Sequence, residues 1–236
     1  MRHLLFLLFM FACFSTAFAQ RFEVGVFAGG ANYIGDVGST LYVKPNTPVG
    51  GFLAKWNQTP RYSFRFSLLY AEIKADDANS NETRRQQRGY HFKNHIGEAS
   101  LGIEFNFWSF DLTEADKQST PYLYTGITYF NSKHQYLNAN LPNKGQLTPQ
   151  GDNWSFAIPI VFGYKQTLTK RIIAGAEIGA RYTFTDNLDG STPEEFLGHR
   201  APLREFGNTN TNDWYVFSGI SLTFTFGKKP CYCNLH

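Results

Sequence analysis

Apolar side chains recur at every second position through most of the chain, and this period defines its elements. The clearest case closes the pattern: Trp214 to Phe226, reading WYVFSGISLTFTF. Val216, Ser218, Ile220, Leu222, Phe224 and Phe226 fall on one face; Gly219, Ser221, Thr223 and Thr225 fall on the other. Period-two alternation is the signature of a strand with one apolar and one polar side. The same rule predicts strands over Arg21 to Ile34, Val49 to Asn57, Tyr62 to Ala71 and His95 to Trp108. It continues over Tyr122 to Phe130, Trp154 to Leu168 and Ile172 to Phe184. Tyr122 to Phe130 alternates most weakly. Pro159 lies inside the sixth strand, where a residue without an N–H loses a ladder bond, so a bulge is expected there.

Aromatic residues end the apolar faces at both limits, as in Tyr62 and Tyr70 of the third strand. Such pairs read as interfacial girdles on strands long enough to cross a bilayer at a tilt. The links are long and polar after odd strands, such as Asp76 to Tyr90, Lys133 to Asn153 and Thr185 to Asp213. After even strands they are shorter: Gln58 to Arg61, Thr169 to Arg171 and the somewhat longer Ser109 to Pro121. A soluble sandwich has no reason to alternate in this way. The expected fold is all-β: an antiparallel up-and-down transmembrane β-barrel of about eight strands, with long extracellular loops and short periplasmic turns.

The N-terminus sets the compartment. Arg2 and His3 precede an apolar run from Leu4 to Phe14, and Ala17-Phe18-Ala19 offers a small-x-small cleavage site before Gln20. Residues 1–19 therefore read as a secretory signal peptide, residues 20–227 as the barrel and residues 228–236 as a periplasmic tail. Met10 and Phe11 before Cys13 fit a lipoprotein signal poorly. Aromatic residues make up 17% of the chain although it is hydrophilic overall, as expected when every second strand residue faces a polar lumen. Without Arg2 there are 21 basic residues against 19 acidic, a balance that indicates no particular partner. The compartment excludes nucleic acid.

The polar faces carry Glu23, Glu98, Glu104 and Glu177 against Lys55, Arg65, Lys165 and Arg181. The interior of an eight-stranded barrel is just wide enough to be filled by side chains, and buried charges must be paired. A salt-bridged plug follows, with a narrow charged channel as the rival. Enzymatic chemistry would need acid, base and nucleophile within hydrogen-bond reach. His91 near Asp76 and Asp77, and His199 in a loop with Asp186, Asp189 and Ser191, are the candidates, but no motif fixes their spacing. No zinc spacing and no phosphate-binding glycine loop occurs, so no cofactor is expected. The run Glu82 to Arg88 could meet lipopolysaccharide phosphates through Arg forks, or be an ordinary solvated loop. In the tail, Lys228, Lys229, Cys231, Tyr232 and Cys233 are candidate partner contacts. Two thiols in an oxidising periplasm suggest an exchangeable or intermolecular disulfide, since a Cys-x-Cys bridge is strained.

Several stretches resemble a known family: FEVGVFAGGANYIGDV, TPRYSFRFSLLYAEIKADDANS, IGEASLGIEFNFW and TPYLYTGITYF, in that order. They are similar to PorG-like outer-membrane barrels of the type IX secretion and gliding machinery of Bacteroidota. The GANYIGD and YAEIKADDANS passages are the most specific. The resemblance implies a structural component, not an enzyme, tying a periplasmic ring to the outer membrane. Its partners would be outer-membrane lipids and the ring lipoprotein with its soluble partner. A generic small barrel serving adhesion or envelope integrity is the alternative, and a surface barrel enzyme the third reading.

Overall fold

The computed structural model describes residues 21–112, 117–137, 145–191, 206–208 and 212–226. The signal-peptide assignment, the tail contacts Lys228, Lys229, Cys231, Tyr232 and Cys233, and His199 lie outside the described residues. Eight antiparallel strands form a closed barrel in sequence order: β1 (Arg21–Ile34), β2 (Thr47–Asn57), β3 (Tyr62–Asp76), β4 (His91–Asn106), β5 (Ser119–Leu137), β6 (Leu147–Thr167), β7 (Ile172–Thr183) and β8 (Trp214–Phe226). The last strand seals the ring by pairing with the first from Phe22↔Phe226 to Ile34↔Trp214. No edge is left to recruit a foreign strand.

Alternation aims the side chains as the period predicts. Ile220, Leu222, Phe224 and Phe226 point outward, while Ser221, Thr223 and Thr225 are buried inside. The outer wall is a continuous apolar belt; Phe52 and Ile220 are each 67% exposed and Ile127 is 64% exposed. Around the short-turn end the aromatics touch in sequence: Phe226–Phe22 at 5.9 Å, Phe22–Trp56 at 6.4 Å and Trp56–Phe64 at 5.5 Å between ring centroids. The long-loop end has Tyr129–Trp154 at 5.2 Å and Tyr182–Trp214 at 4.9 Å. Apolar area on this scale, banded by aromatics, is what a hydrocarbon environment requires.

Four strands run further than their hydropathy suggests. β3 and β4 stay paired to Asp76↔His91, and β5 and β6 to Leu137↔Leu147. The cause is an inversion of polarity along the strand. Below Tyr70, β3 is apolar outside and polar inside; above it, Ala71, Ile73 and Ala75 are buried inside while Lys74 and Asp76 are exposed. The barrel interior at the long-loop end is therefore an ordinary apolar core, built from Ile73, Phe92, Ile96, Leu188 and Phe217 among others. A 3-10 turn (Asp77–Asn79) and a short helix α1 (Thr83–Arg88) complete the β3–β4 link.

The expected bulge at Pro159 is absent. Pairing with β5 lapses between Thr125↔Ile160 and Thr128↔Ala157 but resumes in the same register. The register shift falls instead at Lys133/His134, opposite Asp152 and Gln150. Gly151, with φ +69°, is the extra residue, the left-handed glycine of a G1 bulge. Tight curvature shows at the facing pair Gly102↔Gly126 beside Arg65↔Gly102. A Cβ on Gly102 would stand 2.1 Å from the Thr125 carbonyl oxygen, which only a shift of β5 could relieve. Gly102→Val is therefore expected to prevent closure, lost as heat-shifted migration on a semi-native gel. Ala54→Val, on the outer wall, should migrate as the parent does.

Candidate functional site: a sealed lumen between two caps

Arg65, Lys55, Lys165, Arg181 and the four facing glutamates Glu23, Glu98, Glu104 and Glu177 are all buried in the lumen. Arg65 on β3 donates to Glu177 on β7 through both guanidinium nitrogens, Nη1 to Oε2 and Nη2 to Oε1, each 2.7 Å. The Tyr122 hydroxyl adds a third bond to Glu177 Oε2 at 2.5 Å. Glu104 receives Lys165 Nζ at 2.6 Å and Lys55 Nζ at 3.0 Å, with Arg65 Nη1 at 3.7 Å. Nearer the long-loop end, Glu98 accepts from Arg181 Nη2 at 3.1 Å and from the Tyr215 hydroxyl at 2.8 Å. The network thus spans the lumen from β3 to β7 and from β4 to β7, bracing opposite walls.

Glu23 sits differently from its three counterparts. Among the described residues its carboxylate accepts from neutral donors, Asn57 Nδ2 at 2.8 Å and Thr223 Oγ1 at 2.9 Å. Its charge still counts, because Lys55, Lys165 and Arg65 outnumber Glu104 and Glu177 by one. Aromatic rings fill what the charges leave. Arg65 lies 4.7 Å from the Tyr124 ring centroid and Arg181 4.3 Å from that of Phe217. The tyrosines Tyr122, Tyr124 and Tyr215 escaped the sequence reading because an inward tyrosine looks apolar in an alternation count. The signal was β5 itself, whose weak pattern arises from Tyr122, Tyr124, Thr128 and Phe130 all pointing inward.

Both mouths are covered. At the short-turn end the β4–β5 link folds under the barrel: Phe110 N–H donates to the Pro60 carbonyl at 3.0 Å, and the Phe110 ring lies 4.7 Å from Lys165 Nζ. At the other end, buried Asp77 gathers the β1–β2 link (residues 35–46, loop one) and the β3–β4 link. It accepts from Gly38 N at 2.8 Å, Tyr90 N at 2.9 Å and Arg88 Nε at 2.8 Å. Arg88 also donates to the Asp36 carbonyl at 2.6 Å, and Arg85 to the Gly35 carbonyl at 2.9 Å. The phosphate-fork alternative for the arginine run does not describe Arg85 and Arg88. Their guanidiniums are engaged by loop one.

A second knot in this cap is acidic. Tyr33 donates to Asp213 Oδ1, Leu188 N–H to Asp213 Oδ2 at 2.9 Å, and Asp36 N–H to Asp189 Oδ2 at 3.2 Å. Burial pushes Asp213 well above the usual carboxylate range, and the Asp189 charge adds to it; burial raises Asp189 as well. Asp76 and Ser191, two of the catalytic candidates, hold local structure. Asp76 caps the 3-10 turn through Ala78 N–H at 2.9 Å, and Ser191 donates its hydroxyl to the Asp186 carbonyl at 2.8 Å. Among the described residues no group of three or more His, Cys, Asp or Glu could hold a metal ion.

A family model described as a domain of unknown function, DUF6089, matches residues 2–235. The chain belongs to the DUF6089 family. No match was found among curated proteins. Solved structures similar to this DUF6089 barrel include the N-terminal β-barrel domain of Pseudomonas aeruginosa OprF, at 15% identity and TM-score 0.44 over 87% of this chain and 97% of that one. Neisserial surface protein A is similar at 10% identity and TM-score 0.48 over 87% and 97%. A major outer membrane protein of Thermus thermophilus is similar at 12% identity and TM-score 0.41 over 88% and 100%.

Two outcomes are expected of the DUF6089 barrel. Arg65→Leu should strand Glu177 without its paired cation and cost about 3–5 kcal/mol in urea unfolding, whereas Arg65→Leu with Glu177→Leu should recover much of that loss. The acidic knot predicts a pH dependence. Asp189 and Asp213 have folded-state values above the unfolded value of about 3.9. Cap stability is then fully present below about pH 4 and is lost as pH rises to the folded values, by at most about 1.4 kcal/mol per pH unit per proton. Amide exchange of residues 188–191, corrected for its intrinsic rate, should report freer opening as pH rises, and Asp213→Asn should flatten that rise.

Proposed function

We propose that this protein is an integral outer-membrane barrel that serves as a closed structural anchor and not as a pore or an enzyme. The observation that carries the reading is the lumen. Arg65, Glu177, Glu104, Lys55 and Lys165 cross-brace it between two covered mouths. The bonds that cross the lumen are charge-assisted, each worth more than an ordinary hydrogen bond, so a polar route through this packing would have to break them. The apolar, aromatic-banded outer wall supports membrane insertion. What remains available for function is the two rims and the wall itself.

The finer proposal follows the PorG-like resemblance. The barrel would hold the periplasmic ring lipoprotein and its soluble partner of the type IX machinery against the outer membrane, with both mature termini in the periplasm. β1 begins and β8 ends at the same mouth, paired at Phe22↔Phe226, which supports placing the two termini on one side. Tail residues Lys228 to His236 and the link Ser109 to Pro121 would form the contact, reinforced through Cys231 or Cys233. A second reading, a barrel for adhesion or envelope integrity, is favoured by the firmly tied cap around Asp77 and Arg88. Deleting residues 228–236 while retaining the barrel should abolish type IX secretion and co-purification with ring components. Shortening the loop Thr185 to Asp213 should leave both intact. The opposite pattern would favour the surface role. Planar bilayers should register no steady conductance from the purified protein, and stable channels at neutral pH would overturn the closed lumen.

A further inference from the structure

Asn32 is an outward-facing residue of β1, yet it is only 2% exposed on a largely apolar wall. It is covered by loop one, which folds back over the outside of the barrel. Asn32 Nδ2 donates to the Tyr42 carbonyl at 3.1 Å, and Lys44 N–H donates to Asn32 Oδ1 at 3.3 Å. Pro45 lies against Gly30, where a Cβ would stand 2.5 Å from the proline ring. Farther back, Arg85 holds the start of the loop through the Gly35 and Gly38 carbonyls. The overhang is therefore fixed by polar bonds on its inner side, while Tyr42 and Val43 remain 75% and 51% exposed.

Beneath the overhang runs a groove of about 710 Å³ in the outer wall. Its floor is Ile160, Phe162, Ile178, Ala180 and Val216, side chains of β6, β7 and β8. Its upper rim is polar, with Asp36, Arg85, Asn208 and Asn212 beside the rings of Tyr42 and Trp214. The volume lies within the range of about 300–1,000 Å³ typical of small-molecule sites. The floor belongs to the apolar belt and the rim to the aromatic band at the long-loop end. In a membrane, then, hydrocarbon faces the floor and headgroups face the rim.

We propose that this groove binds a sugar-headed lipid of the outer leaflet, with an acyl chain on the floor and its sugar at the rim. The rim's composition selects the headgroup. Arg85 is paired with Glu82 and bonded to the Gly35 and Gly38 carbonyls, so with Asp36 on the same rim no excess positive charge is left to hold a bare phosphate. Asparagine amides and a carboxylate are suited to hydroxyl groups, and flat amphipathic rings to the face of a sugar. Ala180 is the small residue that leaves the floor open, paired with Ile160 on β6 and Val216 on β8. The inference rests on the membrane placement proposed above.

The test uses the full mature chain in mild detergent with equal amounts of monogalactosyldiacylglycerol and phosphatidylglycerol of matched acyl chains, read by native mass spectrometry. One galactolipid should be retained at least about tenfold over the phospholipid. Ala180→Trp should reduce that retention to the phospholipid level, and Asn32→Ala should reduce it by releasing the overhang. Ala54→Trp, an equal enlargement on the wall of β2 away from the groove, should retain the galactolipid as the parent does. Equal retention of both lipids, or equal behaviour of Ala180→Trp and Ala54→Trp, would overturn the proposal. So would a dimer mass lost in Ala180→Trp, which would assign the groove to a second copy. Heat-shifted migration of every variant shows that it is folded. Its absence from outer-membrane fractions would count against membrane placement, whereas a normal band without selective lipid counts against the groove alone.

Discussion

Closing eight antiparallel strands into a ring deprives every second side chain of solvent, and the rest of the molecule answers that constraint. Among the described residues, four carboxylates and four cations occupy the lumen, so their neutralisation is a condition of folding. The arrangement achieves it with shared partners: Arg65 reaches both Glu177 and Glu104, and Glu104 serves two lysines. A shared hub couples strands that are not neighbours. It gives a barrel without an apolar lower core a reason to prefer one register. The backbone makes room for it, since Arg65 lies opposite Gly102, and Gly102 opposite Gly126.

The same two-residue period then serves two solvents. Along β3 the outward residues change from Phe64, Phe66 and Leu68 to Lys74 and Asp76, while the inward ones change from Ser63, Arg65 and Ser67 to Ala71, Ile73 and Ala75. Nothing in the hydrogen-bonded ladder marks the crossing. Side-chain chemistry alone locates it, near Tyr70, whose ring stacks 5.9 Å from that of His95 on β4. Below this level the barrel is apolar outside and ionic inside; above it, a small water-facing barrel stands on an apolar core. The cap is a consequence of that core. Asp77, Arg88 and the acidic knot of Asp189, Asp213 and Tyr33 tie loops over an interior that water would otherwise reach.

Strand number, order and the identity of the inward charges were legible in the sequence because they depend on parity alone. β1 and β8 were bounded correctly for the same reason. The extensions of β3 to β6 were not, because the sense of alternation reverses where the outer medium changes, and a reader following apolar residues stops there. Gly151 shows a related limit. A glycine in a polar stretch reads as a loop, whereas its φ of +69° absorbs one residue within a continuing hairpin. Pro159 misled in the opposite direction, since losing one ladder partner proved compatible with an unbroken register. The pairings Arg65–Glu177 and Arg181–Glu98 required three dimensions, because they cross strands whose neighbours in sequence never meet.

A sealed lumen also limits where evolution can place a function. Substitutions inside must preserve charge balance and volume together, so the interior is poorly suited to acquire a ligand or a gate. The outer wall is freer, because lipid tolerates many apolar shapes, and the loops are freer still. Asn32 is therefore informative: a polar side chain on an apolar wall is costly unless its bonds are satisfied, and here loop one satisfies them. That loop could have risen into the cap with its neighbours. Its second half instead descends over the outside, so one connection both ties the cap, through Gly35 and Gly38, and shapes the wall, through Tyr42 to Pro45. In a barrel whose interior only holds it together, such a two-sided loop is the most direct physical link between the water-facing cap and the membrane-facing wall.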